Sequence, residues 1–313
     1  NDVLGFEVGP AGSLATIGGT FTGIENLTGG TGNDTFTFAS NVGVTGVITG
    51  GAGSDTLDYA AWTNDLTINL ATLASGIESV VAGAGDDTLV GANAVQTWDI
   101  TGAGSGTVGA VAFQNFETLQ GGTLADTFRL NGGTLAGGID AAAGDDTLIG
   151  DDVANIWTLT GAGEGTVTGL GGVFTGLENL TGGAASDDLE VHASGSITGA
   201  YDAGLGADSL SYAPRGTAIA VDLGALIATD LGSIAAVESF IGGANAGDTL
   251  SAADAVNAWS ITSATAGTVG ALSFSGFENL EGGTADDTFS FADGVNSPGS
   301  LTGGGGNDTL DYS

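Results

Sequence analysis

One short unit dominates this chain: two small residues, usually both Gly, and four residues later an Asp that opens a β-type run. It reads GGTGNDTF at Gly29–Phe36, GGTLADTF at Gly121–Phe128 and GGTADDTF at Gly282–Phe289. The turn aspartates are taken as Asp34, Asp55, Asp87, Asp126, Asp146, Asp188, Asp208, Asp248, Asp287 and Asp308. Apart from one gap of 32 residues, successive members lie about 20 residues apart or twice that. Between them, runs such as TFTF, TLDY, TWDI, TFRL, IWTL and AWSI are bounded by Gly, Asn or Asp, which is a strand pattern. Apolar residues at helical spacing are not sustained anywhere. Leu223–Phe240 comes closest and is expected to hold a short helix or an irregular bulge. A unit of about 20 residues cannot bury an apolar face alone, so units must stack. The expected fold is all-β, a parallel β-solenoid with rungs of about 20 residues.

A longer unit overlies the short one. An aromatic strand, a Gly/Thr stretch and an apolar-Glu-Asn/Thr-Leu box begin at Phe6, Trp98, Trp157 and Trp259. The boxes are Ile24–Leu27, Phe116–Leu119, Leu177–Leu180 and Phe277–Leu280. Phe6 and Trp259, Glu25 and Glu278, Asp34 and Asp287, and Asp55 and Asp308 are each 253 residues apart. Residues 1–313 are therefore expected to form one continuous solenoid, with a superperiod over 1–253 that restarts at 254–313. Both ends fall in mid-pattern, so the sequence reads as part of a longer chain. Phe36, Phe128 and Phe289 are expected to stack in one interior column, and Trp98, Trp157 and Trp259 in another.

Gly29–Thr37, Gly50–Asp58 and Gly303–Asp311 each fit the nonapeptide G-G-x-G-x-D-x-U-x. In these segments the chain resembles the RTX, or hemolysin-type, calcium-binding repeats, and it is similar to the β-strand-repeat segments of large bacterial surface adhesins. The resemblance implies a right-handed solenoid with Ca2+ held between stacked turns, and the ten turn aspartates are the implied ligands. Hard oxygen donors of this kind suit Ca2+. The pairs Asp34/Asp55, Asp126/Asp146, Asp188/Asp208 and Asp287/Asp308 have the spacing of adjacent rungs. The alternative for each Asp is a turn cap bonded to the backbone. Glu25, Glu78, Glu117, Glu178, Glu238 and Glu278 are expected on the opposite edge or at strand starts, solvated or as a second ligand row. Asn26, Asn179 and Asn279 are expected to form part of an inward amide ladder.

Composition narrows the function. There are 37 acidic residues against two basic ones, Arg129 and Arg215, and no Cys. Nucleic acid is excluded as a partner, because binding its phosphates takes clustered cations. Disulfides and thiolate metal sites are excluded as well. No segment has the length of apolar residues a membrane span needs. Catalysis is not expected. His192 stands alone, the two arginines do not recur with the repeat, and the carboxylates repeat along the chain instead of converging in one cleft.

The expected role is therefore a non-catalytic structural segment of a secreted, cell-surface or extracellular-fibre protein, stabilised by Ca2+ and located at a bacterial surface. Its partners would be flanking repeats or copies of itself end to end. Two alternatives stay open: a module docking a carbohydrate or another surface on a flat face, and a calcium-folded secretion module.

Overall fold

Strand after strand alternates inward and outward residues with period two, as Asp34–Phe38 does with Asp34, Phe36 and Phe38 buried. Three-residue strands such as Thr56–Asp58, Thr88–Val90 and Thr147–Ile149 bury only their central Leu. So short a strand has one core-facing position, and its burial must come from neighbours above and below. The computed structural model describes residues 26–38, 47–72, 75–296 and 299–312, together with the backbone of 4–8. Among these residues there is no helix. The fold is an all-β parallel solenoid.

The described residues divide into two compact units, one of Asn1–Asp146 with Gly169–Phe174 and one of Thr147–Thr168 with Thr175–Ser313. In the first unit, one parallel column runs Phe36, Leu57, Val80, Phe113, and another runs Ile68, Leu89, Leu119, Ile139. In the second unit the columns are Leu148, Leu180, Tyr201, Ile234; Trp157, Leu189, Leu210, Phe240, Phe274; and Val221, Leu250, Leu280, Leu301. Apart from Leu301, which is half-buried, these are core side chains. Each Leu, Phe or Trp buried this way contributes roughly 1.5–3 kcal/mol.

The aromatic columns differ from the sequence expectation. Trp98 stacks on Phe128 at 5.5 Å and 15°, and Trp259 on Phe289 at 5.4 Å and 17°. Phe36 pairs with Leu57, and Trp157 with Leu189. Each indole lies against the residue of the adjacent rung, because recurrence of the aromatic strand is much longer than a rung.

The solenoid is also not parallel throughout. Thr97–Gly102, Ser105–Val108 and Val111–Gln114 form an antiparallel meander, which Ala258–Ser263, Ala266–Val269 and Leu272–Ser275 repeat. Ile156–Gly161 and Glu164–Val167 form the same first hairpin. The sequence pattern missed these reversals. Val108 pairs with Val111 across the two-residue turn Gly109-Ala110, with Gly109 at φ 56°. Positive φ there matches the twist of a tight hairpin. Leu223–Phe240 contains no helix; it is the irregular alternative, with Leu226, Asp230 and Ala236 at φ 55°, 62° and 55°.

Candidate functional site

Each Gly-rich unit turns the chain at a corner, and the Asp that ends it folds back into the turn. Asp34, Asp55, Asp87, Asp126, Asp146, Asp187, Asp208, Asp248 and Asp287 are at most 2 % exposed. A carboxylate so deeply buried must find donors or it forfeits several kcal/mol of solvation. The turn supplies one. The N–H groups of Gly83, Gly122 and Gly183 donate to Oδ2 of the Asp four residues on, at 3.0, 2.7 and 2.6 Å. At Asp248, which follows a turn one residue longer, Gly243 takes this role at 2.6 Å.

The neighbouring rung supplies a second donor. The Asp34 N–H donates to Asp55 Oδ1 at 2.8 Å, Asp126 to Asp146 at 2.6 Å, Asp187 to Asp208 at 2.7 Å and Asp287 to Asp308 at 3.0 Å. Each of these links has the same sense, the earlier rung donating to the later. The ladders start on other residues. Leu66, Gln96 and Ile219 donate backbone N–H to Asp87, Asp126 and Asp248, at 2.7, 2.8 and 3.0 Å. Asn155 and Asn257 donate both backbone N–H and side-chain Nδ2 to Asp187 and Asp287.

Four glutamates close ladders. Glu78, Glu117, Glu238 and Glu278 accept, through Oε2, the N–H of Asp55, Asp87, Asp208 and Asp248 at 2.8, 2.8, 2.9 and 3.3 Å. The bond is answered: the N–H groups of Glu78 and Ser79 donate to the Asp55 carbonyl, and the same happens at the other three. These glutamates therefore share the corner with the aspartates and do not lie on the opposite edge. Glu25 lies outside the described residues.

The first Gly of the unit is explained by the same geometry. A Cβ at Gly182 would lie 2.0 Å from the Ala203 carbonyl oxygen and 2.4 Å from Asp187 Oδ2, where no side chain fits. The Asp of that unit is therefore Asp187. Asp188, the residue the sequence pattern took, stands one position on, is exposed, and accepts a hydrogen bond from the Ser209 hydroxyl. Asp308 is exposed on the rung Ser300–Tyr312. Nor do the aspartates form a single row: within the first unit Asp34 and Asp55 run with Glu78, whereas Asp87 runs with Leu66 and Glu117. Asn26 and Asn179 bridge outward to the N–H groups of Val47 and Ala200. Asn279 Nδ2 donates to the Asp248 carbonyl.

Burial pushes the Asp208 carboxyl above the usual carboxylate range, against the pull of its bond from Asp187, and the charges of Glu238, Asp187 and Asp188 add to the rise. Burial raises the Tyr201 phenol far above its ordinary value, and the charges of Asp187 and Asp208 lift it further.

The fit to a cation differs between corners. At Asp87, Asp126, Asp187 and Asp248 both carboxylate oxygens already accept N–H groups, the positive ends of peptide dipoles. At Asp34, Asp55, Asp208 and Asp287 one oxygen accepts an N–H while the other is buried without a hydrogen bond, as an oxygen donor to a hard cation can be. Among the described residues no group of three or more His, Cys, Asp or Glu side chains converges as a metal cage.

His192 Nε2 lies 2.7 Å from Glu190 Oε1. Arg215, 4 % exposed, donates from Nε and Nη2 to the carbonyls of His192 and Ala193 at 3.1 and 3.2 Å, pairs with Asp230, and lies 5.6 Å from the Tyr212 ring centroid. Nothing in the repeat pattern signals this cluster. No family model matches the chain, and no curated protein matches it. Among the described residues no helix is long and apolar enough to cross a membrane.

Proposed function

We propose that the chain is a non-catalytic structural segment of a secreted, cell-surface or extracellular-fibre protein at a bacterial surface. The observation that carries this reading is the use made of the recurring acids. The ladder carboxylates accept backbone N–H groups of their own turn, of the adjacent rung or of both, so the chemistry that recurs along the chain fastens rungs together. The RTX-like motif belongs to this reading as a corner-building device. Ca2+ enters at Asp34, Asp55, Asp208 and Asp287, whose second oxygens lack a donor. There it would neutralise buried charge in a chain of formal charge −35. Flanking repeats and further copies are the partners that a rung-on-rung fold accommodates.

The test is a urea melt followed by far-UV circular dichroism, with Ca2+ and with EDTA. The reading expects a strand spectrum in both, with a lower midpoint in EDTA that Ca2+ restores. An unchanged midpoint removes the metal and leaves the ladders. Loss of the strand spectrum in EDTA would make the ion, and not the carboxylate–backbone ladder, the organiser of the rungs.

A further inference from the structure

Gly follows Asn at one place in the chain, Asn131–Gly132. Both residues are exposed, in the bend that leaves the strand Thr127–Leu130. The bend is held on either side but not at its tip. The Asn131 N–H donates to the Ile100 carbonyl at 2.9 Å and the Thr134 N–H to that of Gly102 at 3.2 Å, while the Gly104 N–H donates to the Thr134 carbonyl at 2.8 Å. Gly133 is buried, and a Cβ there would lie 2.5 Å from the Ile100 carbonyl. Gly132, between these points, is at φ 74°, and a Cβ on it would meet nothing within 4 Å. Neither its N–H nor the Asn131 side-chain amide makes a hydrogen bond to the described residues.

Other asparagines are tied. The amide oxygens of Asn26, Asn33 and Asn179 accept N–H groups 21 residues on, across a rung. At Asn69 and Asn115 the N–H of the following residue is bonded instead, to the carbonyls of Val90 and Gly104. Either restraint works against bringing a side-chain amide carbon and the next backbone nitrogen together. Asn131 has neither, and asparagine is among the chemically labile side chains.

We propose that Asn131 is a site of spontaneous covalent modification, deamidation through a succinimide ring. The Gly132 nitrogen attacks Asn131 Cγ. The N–Cγ bond forms, the Gly132 N–H proton passes through water to the departing nitrogen, and the Cγ–Nδ2 bond breaks to release ammonia. Water then opens the ring. Addition at Cγ leaves an aspartate. Addition at the main-chain carbonyl carbon leaves an isoaspartate, whose backbone runs through the side-chain methylene. Water is the only co-reactant. Glycine matters because a side chain on the attacking residue crowds ring closure. Either product places a new negative charge on the bend. Isoaspartate also lengthens the bend by one backbone atom between two points fastened to the strand Thr97–Gly102.

Neither Ca2+ nor the ladders enter this chemistry, so it stands or falls apart from the structural reading above. The folded 313-residue protein is incubated at pH 8, in parallel with a peptide of its own sequence Thr127–Leu135 as the unconstrained reference. Both are followed by peptide-mapping mass spectrometry and by enzymatic methylation of isoaspartate. Conversion at Asn131 is expected within fivefold of the peptide rate, ahead of every other asparagine, with both products formed. Gly132→Ala should slow it at least fivefold. Asn131→Gln, which keeps the amide but needs a larger ring, should all but stop it; both variants are checked for an unchanged strand spectrum. A rate more than fivefold below that of the peptide would show the fold holding the two groups apart. Aspartate without isoaspartate would show direct hydrolysis. Either result overturns the proposal, as does equal conversion in Gly132→Ala.

Discussion

Asp187 and Arg215 are both buried charges in the second unit, and they are accommodated in opposite ways. Asp187 is held by backbone N–H groups of Gly183 and Asn155, with the Asn155 amide added. Every rung has such N–H groups, so this solution can recur at each corner. Arg215 needs acceptors instead. It takes two carbonyls and the carboxylate of Asp230, a residue at φ 62° in the irregular stretch. A regular ladder commits its carbonyls to strand pairing, so a guanidinium can be buried only where the ladder is broken. The contrast gives a physical reason why acids multiply in this chain and buried cations do not.

The comparison is broken most severely at the acid. Asp187→Ala leaves the backbone N–H groups of Gly183 and Asn155 without an acceptor, while the Asn155 amide keeps the Asp151 and Val153 carbonyls; the loss should be about 4 kcal/mol by urea denaturation, and Asp187→Asn should recover most of it. Arg215→Met strands two carbonyls but leaves Asp230 half in solvent, so a loss of about 3 kcal/mol is expected. Lys at 215 should not rescue it, because one ammonium cannot reproduce the divergent Nε and Nη2 bonds. Gly182→Ala tests the space beneath the carboxylate; crowding against Ala203 and Asp187 should cost about 2 kcal/mol and lower the melting temperature.

The smallest effect concerns slope. Asp208 has a raised folded-state pKa, so the folded protein binds that proton more tightly than the unfolded chain. Its contribution is present at low pH and is lost as pH rises through the folded value. Asp208→Asn keeps an acceptor oxygen and never ionises. It should gain stability relative to the parent between pH 3 and pH 7. A difference that stays flat with pH would show Asp208 ionising as an ordinary carboxylate.

Much of this was readable in the residues, for identifiable reasons. The corner was legible because a pair of small residues precedes the Asp at fixed spacing, with Ala82, Ala141 and Ala203 in the first place at three corners and Gly where, as at Gly182, there is no room for a Cβ. Where the unit ends in two aspartates, composition alone does not choose between them; the distance from the glycines does, and it selects Asp187. The glutamates were hidden because the rung they cover lies up to 30 residues away, across excursions whose length varies. The meanders were hidden because a two-residue turn such as Gly109-Ala110 leaves the strand pattern on either side unchanged. Arg215 was hidden because its partners, Ala193 and Asp230, lie 22 and 15 residues away in opposite directions with no periodic marker.

The one-way sense of the corner bonds has a consequence for how such a chain can grow or shrink. A ladder opens on an amide or apolar residue, as at Gln96, Asn155 or Asn257, and closes on a glutamate. Between those points, a break in the chain of rungs separates an Asp N–H from the carboxylate that accepts it. At the glutamates the side-chain account is complete, so duplications and excisions that respect these seams disturb only main-chain pairing. Gene-level gain or loss of length should therefore be tolerated in whole ladders and penalised within them.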